Sequence, residues 1–574
     1  MCGIVGIVAG IPFSIRGELL TALKRLEYRG YDSVGYATND GRILKDVGYI
    51  SDFMEKVNGE ATLAIAHTRW STHGRVTKPN AHPHYSENFM IVHNGIIENY
   101  EELKEDLIKK GYNFKSETDS ELIAYYFEEN TKRDSIEKVI RNFYRDAKGT
   151  FAVLLIKKGD DKLYAFKLDS PLVLSSFGNS IYIASDIYAF SDKTNKAIFL
   201  DDYEYVIVDK NGFCVYDKAG RKLKKEEKTF EWEQDFNDNK DYEHFMIKEI
   251  YEQPLVAERL INSLNSDQKQ KIKETADLIK SAKKIIFISA GTSFHASMLG
   301  NHLLNQAGIE SHSWIASEFD IPKYIDKDCL AICISQSGET MDLIRAVKYL
   351  KSKSVKIVSL VNVPYSTLQR LSDLSINLLA GQEVCVAATK SYTNQCIALI
   401  ALAKELGYEL DLEQIPKKIK ETIDSNLDKI KELADKLYKE YDVYVLGRGA
   451  CYSAALGIAL NIKEISYIHA EGLRGGELKH GTLALVEDGT PVISLIPLDD
   501  LEMKSNTKEV EARGAHSIKI VNKGEGSFVL PESKVSDFII YSVIIGQLLT
   551  YYMAKNKGLP IDKPRNLAKS VTTL

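Results

Sequence analysis

The chain opens Met1-Cys2-Gly3-Ile4-Val5-Gly6, and a cysteine that becomes the first residue on removal of Met1 carries its own base. The α-amino group has an ordinary pKa of about 7.7–8.0. A useful fraction is therefore neutral near pH 7 and can take the thiol proton, directly or through one water. The same Cys2 also fits a strand as a small buried apolar residue. His67-Thr68-Arg69-Trp70-Ser71-Thr72-His73-Gly74 follows an apolar run, which places it at a strand end, where ligand-binding loops gather. His93-Asn94-Gly95 follows another such run and reads as the opening of a turn. An Asn amide and a Gly N–H there could form an oxyanion hole. Ser116-Glu117-Thr118-Asp119-Ser120 precedes a helical pattern, where Thr and Asp are ordinary N-caps.

A second kind of chemistry sits downstream. Ser335-Gln336-Ser337-Gly338-Glu339-Thr340 lies directly between a strand pattern and a helix pattern. Backbone N–H groups at a helix N-terminus, with Ser and Thr hydroxyls beside them, make a phosphate cradle. The carboxyl end of a strand is where open α/β sheets bind ligands. No GxxxxGK[ST] pattern is present, which argues against a nucleotide P-loop. The same hydroxyls also fit a capping box. Ala290-Gly291-Thr292-Ser293, after the neighbouring strand, supplies a second side to the cradle.

Two scaffolds are needed to position these groups. Strand-like runs at 3–8, 63–67, 89–93, 151–157, 181–184 and 205–208, with helical patterns at 14–26, 100–110 and 120–129, predict an α+β layer domain. Residues 217–241 are charged, lack apolar periodicity and read as a linker. From about residue 266 the grammar becomes βαβ, with buried strands at 284–289, 330–335 and 355–361. It restarts at Asp442 with a strand at 443–446, the turn Gly447-Arg448-Gly449 and a helix through Glu464, then strands at 492–496 and 517–521. Continuous apolar strands between helices imply parallel sheets covered on both faces, here as an internal duplication of a doubly wound domain. The expected boundaries are 2–216 for the first domain and 217–265 for the linker and a lead-in helix. Residues 266–425 and 426–564 form the paired α/β domains, and 565–574 a C-terminal tail.

Composition excludes several classes. With 574 residues, 44% hydrophobic and 27% charged, the chain is an ordinary multidomain globular protein. A formal charge of -6 lacks the concentrated basic face of a nucleic-acid binder. The seven cysteines are dispersed without a CxxC pair, which points to a reducing compartment rather than a disulfide framework or a structural zinc. No signal peptide is read at the N-terminus, and no apolar run is read as approaching the roughly 20 residues that cross a bilayer. The expectation is a soluble cytoplasmic protein without nucleic-acid or membrane partners.

Taken as a set, the motifs carry a resemblance. Cys2-Gly3-Ile4-Val5-Gly6, Leu26-Glu27-Tyr28-Arg29-Gly30-Tyr31-Asp32-Ser33, His67-Thr68-Arg69-Trp70, Asn80-Ala81-His82-Pro83-His84, His93-Asn94-Gly95 and Glu117-Thr118-Asp119 resemble the glutaminase domain of the glucosamine-6-phosphate synthases. These belong to the N-terminal-nucleophile amidotransferases. Ser335–Thr340, Val386-Ala387-Ala388-Thr389-Lys390, Gly476-Glu477-Leu478-Lys479-His480-Gly481 and the terminal Pro564-Arg565-Asn566-Leu567-Ala568-Lys569-Ser570-Val571 resemble the paired sugar isomerase (SIS) domains of the same family. The resemblance implies an α+β N-terminal-nucleophile glutaminase followed by two α/β doubly wound SIS domains. It implies Cys2 as nucleophile and Asn94 with Gly95 as oxyanion hole. Arg69 would hold the glutamine α-carboxylate, a bidentate task, and Asp119 the α-ammonium. Trp70, Thr72 and His73 would line the glutamine pocket, with Trp70 gating ammonia. Thr292, Ser293, Ser335, Gln336, Ser337 and Thr340 would bind a sugar phosphate. Lys569 would form a Schiff base with a ketose C2, needing a neutral amine. Glu464 would move a proton between C1 and C2, and His480, from a neighbouring subunit, would assist ring opening. The implied partners are L-glutamine, fructose 6-phosphate and a second copy in a homodimer, with no cofactor and no metal. Freed ammonia must escape protonation, which calls for a closed path, and the C-terminal tail reads as a lid.

Two positions depart from the family pattern, which usually reads Glu-Gly-Ala-Leu-Lys-Leu-Lys-Glu before Ile-Ser-Tyr. Here the stretch is Gly457-Ile458-Ala459-Leu460-Asn461-Ile462-Lys463-Glu464, so a family glutamate is Gly457 and a family lysine is Asn461. Tyr392-Thr393-Asn394-Gln395 is a milder change. The departures leave open the amination of a different ketose phosphate, and a rival of another class is a non-catalytic phosphosugar sensor built on the paired isomerase-type domains.

Overall fold

The computed structural model describes residues 2–71, 74–230, 241–319 and 325–571. Met1, Thr72 and His73 of the reading above lie outside them. Contacts divide the chain into two units, residues 1–234 with 568–574, and residues 235–567.

The first unit is built on two antiparallel sheets of eight and seven strands. Strand β1 (Gly3–Ser14) pairs with β2 (Glu60–Arg69) in the larger sheet, and β3 (Phe89–Ile97) lies in the smaller. Successive side chains on a strand face opposite ways, and here both faces are covered. Val92 and Leu154 join Ile4 and Ile65 in a core between the sheets. Ile91, Val153 and Leu155 pack instead against helices that include α1 (Glu121–Asn130), through Phe127 and Phe143. Two-sided burial explains why these strands read as apolar runs.

The second unit holds two five-stranded parallel sheets with the same strand order, the second strand of each leading and the first, third, fourth and fifth following. The lead-in helix α2 (Phe245–Asn265) precedes β4 (Lys284–Ser289), α3 (Gly291–Gln306), β5 (Cys329–Ser335) and α4 (Met341–Ser352). The duplicate starts with β6 (Asp442–Gly447) and α5 (Cys451–Asn461) and ends with α6 (Val535–Asn556). One apolar core runs through helices of both halves, joining Ile250 and Leu260 of α2 to Leu299 of α3, Ile458 of α5 and Ile544 of α6. The matching order and shared core bear out the duplicated doubly wound reading.

Four expectations need correction. Of the expected linker 217–241, residues 231–240 lie outside the described residues, and 217–230 are not a plain linker, because Lys222–Leu223 and Lys228–Thr229 each add a two-residue strand to a sheet edge. Helix α6 is 22 residues long and, by length and composition, apolar enough to span a bilayer, but its 18-residue apolar window is 94% buried in the protein core. His93-Asn94-Gly95 opens no turn; all three lie within β3. The helix expected through Glu464 changes form after Asn461, where Ile462–Ser466 widens into a π-turn.

Candidate active site

The β1–β2 pairing sets Gly3 opposite Thr68 and brings the chain start beside Arg69 and Trp70. The Trp70 N–H donates to Cys2 Sγ at 3.3 Å, and the Asn94 amide donates to the Cys2 carbonyl at 2.8 Å. Burial pushes the Cys2 thiol up from its ordinary range. An amide nitrogen carries two hydrogens, so Asn94 can hold Cys2 and still offer a donor to substrate. Gly95 has φ 128°, and a Cβ there would collide with the Thr150 carbonyl, so only glycine lets β3 approach so closely at this point.

Arg69 is 4% exposed, with its guanidinium donating to the carbonyls of Gly74 at 3.3 Å and Arg75 at 3.4 Å. The Cys2 thiol and the Asp32, Asp119 and Glu117 carboxylates act on it. Asp119 is not a helix cap: its Oδ2 accepts the Ile97 N–H at 2.8 Å, tying the start of α1 to β3 near Asn94. The structure thus brings Cys2, Arg69, Trp70, Asn94, Gly95 and Asp119 into one place.

The sequence reading missed the supports. Asp32 accepts the Ser71 N–H at 2.8 Å, and the Asp32 N–H donates to the Arg69 carbonyl, fixing the loop after β2. Arg29, 1% exposed, pairs with Asp186 at 2.7 Å, and Tyr28 donates to the same carboxylate. These contacts explain why the stretch 26–33 carries so many polar residues. Below the site, His67 stacks on His82 with centroids 4.0 Å apart, and His82 meets His84 edge-on at 4.5 Å. His67 Nε2 donates to the His93 carbonyl, while neither ring nitrogen of His82 has a partner among the described residues. Burial holds the pKa of His67 down to about 3, and lowers those of His82, His84 and His93 as well. The single run His82-Pro83-His84 was the available signal.

In the second unit β4 and β5 are parallel neighbours, Ile288 opposite Cys333, so their carboxyl ends lie side by side. There Ser335 Oγ accepts the Gly338 N–H at 2.9 Å and Ser337 Oγ the Glu339 N–H at 3.1 Å, which curls 335–340 into a tight turn. Gly338, at φ 65°, faces Ser366 so closely that a Cβ would collide with it. Thr340 makes no side-chain cap to α4, so the capping reading of 335–340 fails, and α3 has no side-chain cap either. Both N-termini keep their positive ends open to an anion. Gln395 donates to Ser293 Oγ at 3.0 Å.

Glu464 sits half-buried in the π-turn, His480 is exposed in the short helix Glu477–His480, and Lys569 is half-buried and groups by contact with the first unit. Asn461 is 1% exposed, and neither its amide oxygen nor its nitrogen has a partner among the described residues. Gly457, one turn earlier on α5, has space: the nearest atom to an added Cβ is His295 Nδ1 at 3.8 Å.

Comparison with known proteins places this geometry. Residues 67–192 match a glutamine amidotransferase domain model, and residues 278–405 and 436–542 match the SIS domain model. The chain is 41% identical over 604 aligned positions to a glutamine–fructose-6-phosphate aminotransferase (isomerizing) of Pyrococcus horikoshii, with all of both chains covered. A protein of the same name from Sulfurisphaera tokodaii is 37% identical over 589 positions, again over the full length of both. Among solved structures, the C-terminal domain of glucosamine-fructose-6-phosphate aminotransferase from Francisella tularensis superposes with a TM-score of 0.52 at 32% identity, covering 57% of this chain and all of that one. With a full-length match joined to a terminal cysteine site and two SIS sheets, the chain belongs to the glutamine–fructose-6-phosphate aminotransferase (isomerizing) family.

Proposed function

We propose that this chain transfers the amide nitrogen of L-glutamine to fructose 6-phosphate and isomerises the product to glucosamine 6-phosphate. The observation that carries the reading is the Cys2 site: a thiol held by the Trp70 N–H, beside the Asn94 amide, on a chain that matches the family end to end. The modules are residues 2–216, 266–425 and 426–564, joined by 217–265 and closed by the tail 565–574. Cys2 Sγ attacks the glutamine amide carbon while the α-amine takes its proton, Asn94 and Gly95 receive the oxyanion, ammonia leaves, and water releases glutamate from the thioester. Arg69 and Asp119 hold the amino-acid end, in a pocket that includes Trp70, Thr72 and His73. Thr292, Ser293, Ser335, Gln336, Ser337 and Thr340 hold the phosphate. The Lys569 amine condenses with C2 and loses water, ammonia displaces it, and Glu464 carries a proton from C1 to C2 while His480 assists ring opening.

A homodimer is part of this proposal; Leu485, 59% exposed and five residues past the exposed His480, is an apolar side chain that a second copy would cover. So is a cytoplasmic location, supported by the absence of any disulfide among the seven cysteines, all of which are described. Incubation with amide-labelled glutamine and fructose 6-phosphate tests the activity: the label is expected in glucosamine 6-phosphate, and label only in free ammonium would overturn it. The reading of a different ketose phosphate has one observation in its favour. A buried, unpartnered Asn461 beside the open space at Gly457 suits an additional neutral hydroxyl. A panel of ketose phosphates, ranked by kcat/KM, separates the two.

A further inference from the structure

The stretch between α6 and the tail is pinned at three points within the second unit. Lys557 donates to the Ser466 carbonyl at 3.0 Å. Asp562 accepts the N–H groups of Phe245 and Met246, each at 2.9 Å, capping α2 from a distance, and its carbonyl accepts the Val386 N–H at 3.2 Å. Arg565 donates its backbone N–H to the Tyr467 hydroxyl at 2.7 Å and lays its guanidinium over the Tyr467 ring at 4.4 Å. Two of the three anchors, Ser466 and Tyr467, close the π-turn that carries Glu464.

Tyr467 has φ 55°, a left-handed conformation that favours glycine and disfavours an aromatic residue. A turn that needed only this backbone would be better served by glycine. The tyrosine side chain instead grips the tail on two sides, by a hydroxyl acceptor and by a ring face. Lys569 follows Arg565 by four residues, at most about 14 Å of extended chain. Whatever fixes Arg565 therefore limits where the lysine amine can go.

We propose that Tyr467 is a positioning residue: by clamping Arg565 it sets the departure point of the C-terminal tail on the same element that presents Glu464. The proposal rests on the roles given above to Glu464 and Lys569. Such π-turns inside helices recur at functional sites, and here the widened turn supplies both the acid–base group and the clamp.

The test uses the full-length protein with Tyr467→Phe, Tyr467→Gly, Arg565→Ala and, as control, Lys569→Arg. Glutamine hydrolysis without sugar and glucosamine 6-phosphate formation are measured on each, with kcat and KM separated. Tyr467→Phe keeps the ring and loses one hydrogen bond, so synthesis should fall about fivefold in kcat. Tyr467→Gly relieves the backbone and removes both grips, and synthesis should fall more than tenfold, with hydrolysis within twofold of the parent. Arg565→Ala, which keeps the backbone donor, should lose about twofold to fivefold. Unchanged synthesis in Tyr467→Gly, or equal loss of synthesis and hydrolysis, would overturn the clamp. If Lys569→Arg still makes product, the reading of the lysine fails instead; if that variant is dead while the Tyr467 variants are normal, the clamp alone fails.

Discussion

Burial raises the Cys2 pKa, so the resting group is the thiol, and a base must remove its proton as the bond to carbon forms. A hydroxyl in the same place is a far weaker nucleophile. Cys2→Ser should therefore lower glutamine hydrolysis by at least about a thousandfold, measured as glutamate release, while fructose 6-phosphate binding by calorimetry stays as in the parent. Asn94 holds the Cys2 carbonyl, and in the proposed mechanism its second amide hydrogen faces the developing oxyanion. Asn94→Ala should cost about 10²–10³ in kcat, the usual loss for one such donor. A loss seen only in KM would mean the amide binds ground-state substrate and not the oxyanion. Arg29 is 1% exposed, paired with Asp186 and bonded to the Ser185 carbonyl, so Asp186→Ala removes the carboxylate that neutralises a buried guanidinium. That should destabilise the first unit by about 3–5 kcal/mol, read from its melting transition.

At the scale of elements, the sequence was clearest where burial and spacing agree. The parallel strands of the second unit stood out because both faces are covered, so their apolar runs are unbroken. The edge strand Ile43–Val47, and Gly212–Tyr216 beside the two-residue edge strand Lys222–Leu223, were not legible, since half-exposed strands carry mixed side chains. His93-Asn94-Gly95 was misread because Asn-Gly is a strong hairpin signal. Pairing of Gly95 with Phe151 overrides it, and the glycine serves close strand approach instead of a turn. The pair His82 and His84 stood out in the sequence, but their stacking on His67 did not, because His67 comes from β2, His82 from a loop and His84 from the two-residue strand His84–Tyr85, which only the fold brings together. The cradle was legible as a turn, and its shape depends on Gly338. Gly338→Ala puts a Cβ into Ser366 at positive φ, so the affinity for fructose 6-phosphate should fall about tenfold or more, with sugar-free glutamine hydrolysis unchanged; calorimetry checks the first and glutamate release the second.

At the scale of the whole molecule, the two units should respond differently to acid. In the first, four buried histidines have pKa values held below the ordinary 6.5, that of His67 at about 3. The unfolded chain therefore binds protons below pH 6.5 that the folded unit refuses. Stability is unaffected above pH 6.5 and falls as the pH drops from 6.5 toward 3, by up to about 1.4 kcal/mol per pH unit for each histidine. The second unit has His295, held down to about 4, and His302, also lowered. It also has buried Asp537 and half-buried Asp562, whose pKa values desolvation raises, so the folded form takes up protons earlier there and part of the loss is offset. Acid should thus unfold the first unit first. Melts between pH 7 and pH 4.5 should show one transition moving down faster than the other, with glutamine hydrolysis lost along the faster one. His82→Phe keeps a ring in the stack and removes one titrating group, so the pH slope of that transition should become shallower by about one proton. An unchanged slope would mean that His82 is already protonated in the fold, and that its two unpartnered nitrogens face groups that stabilise the charge.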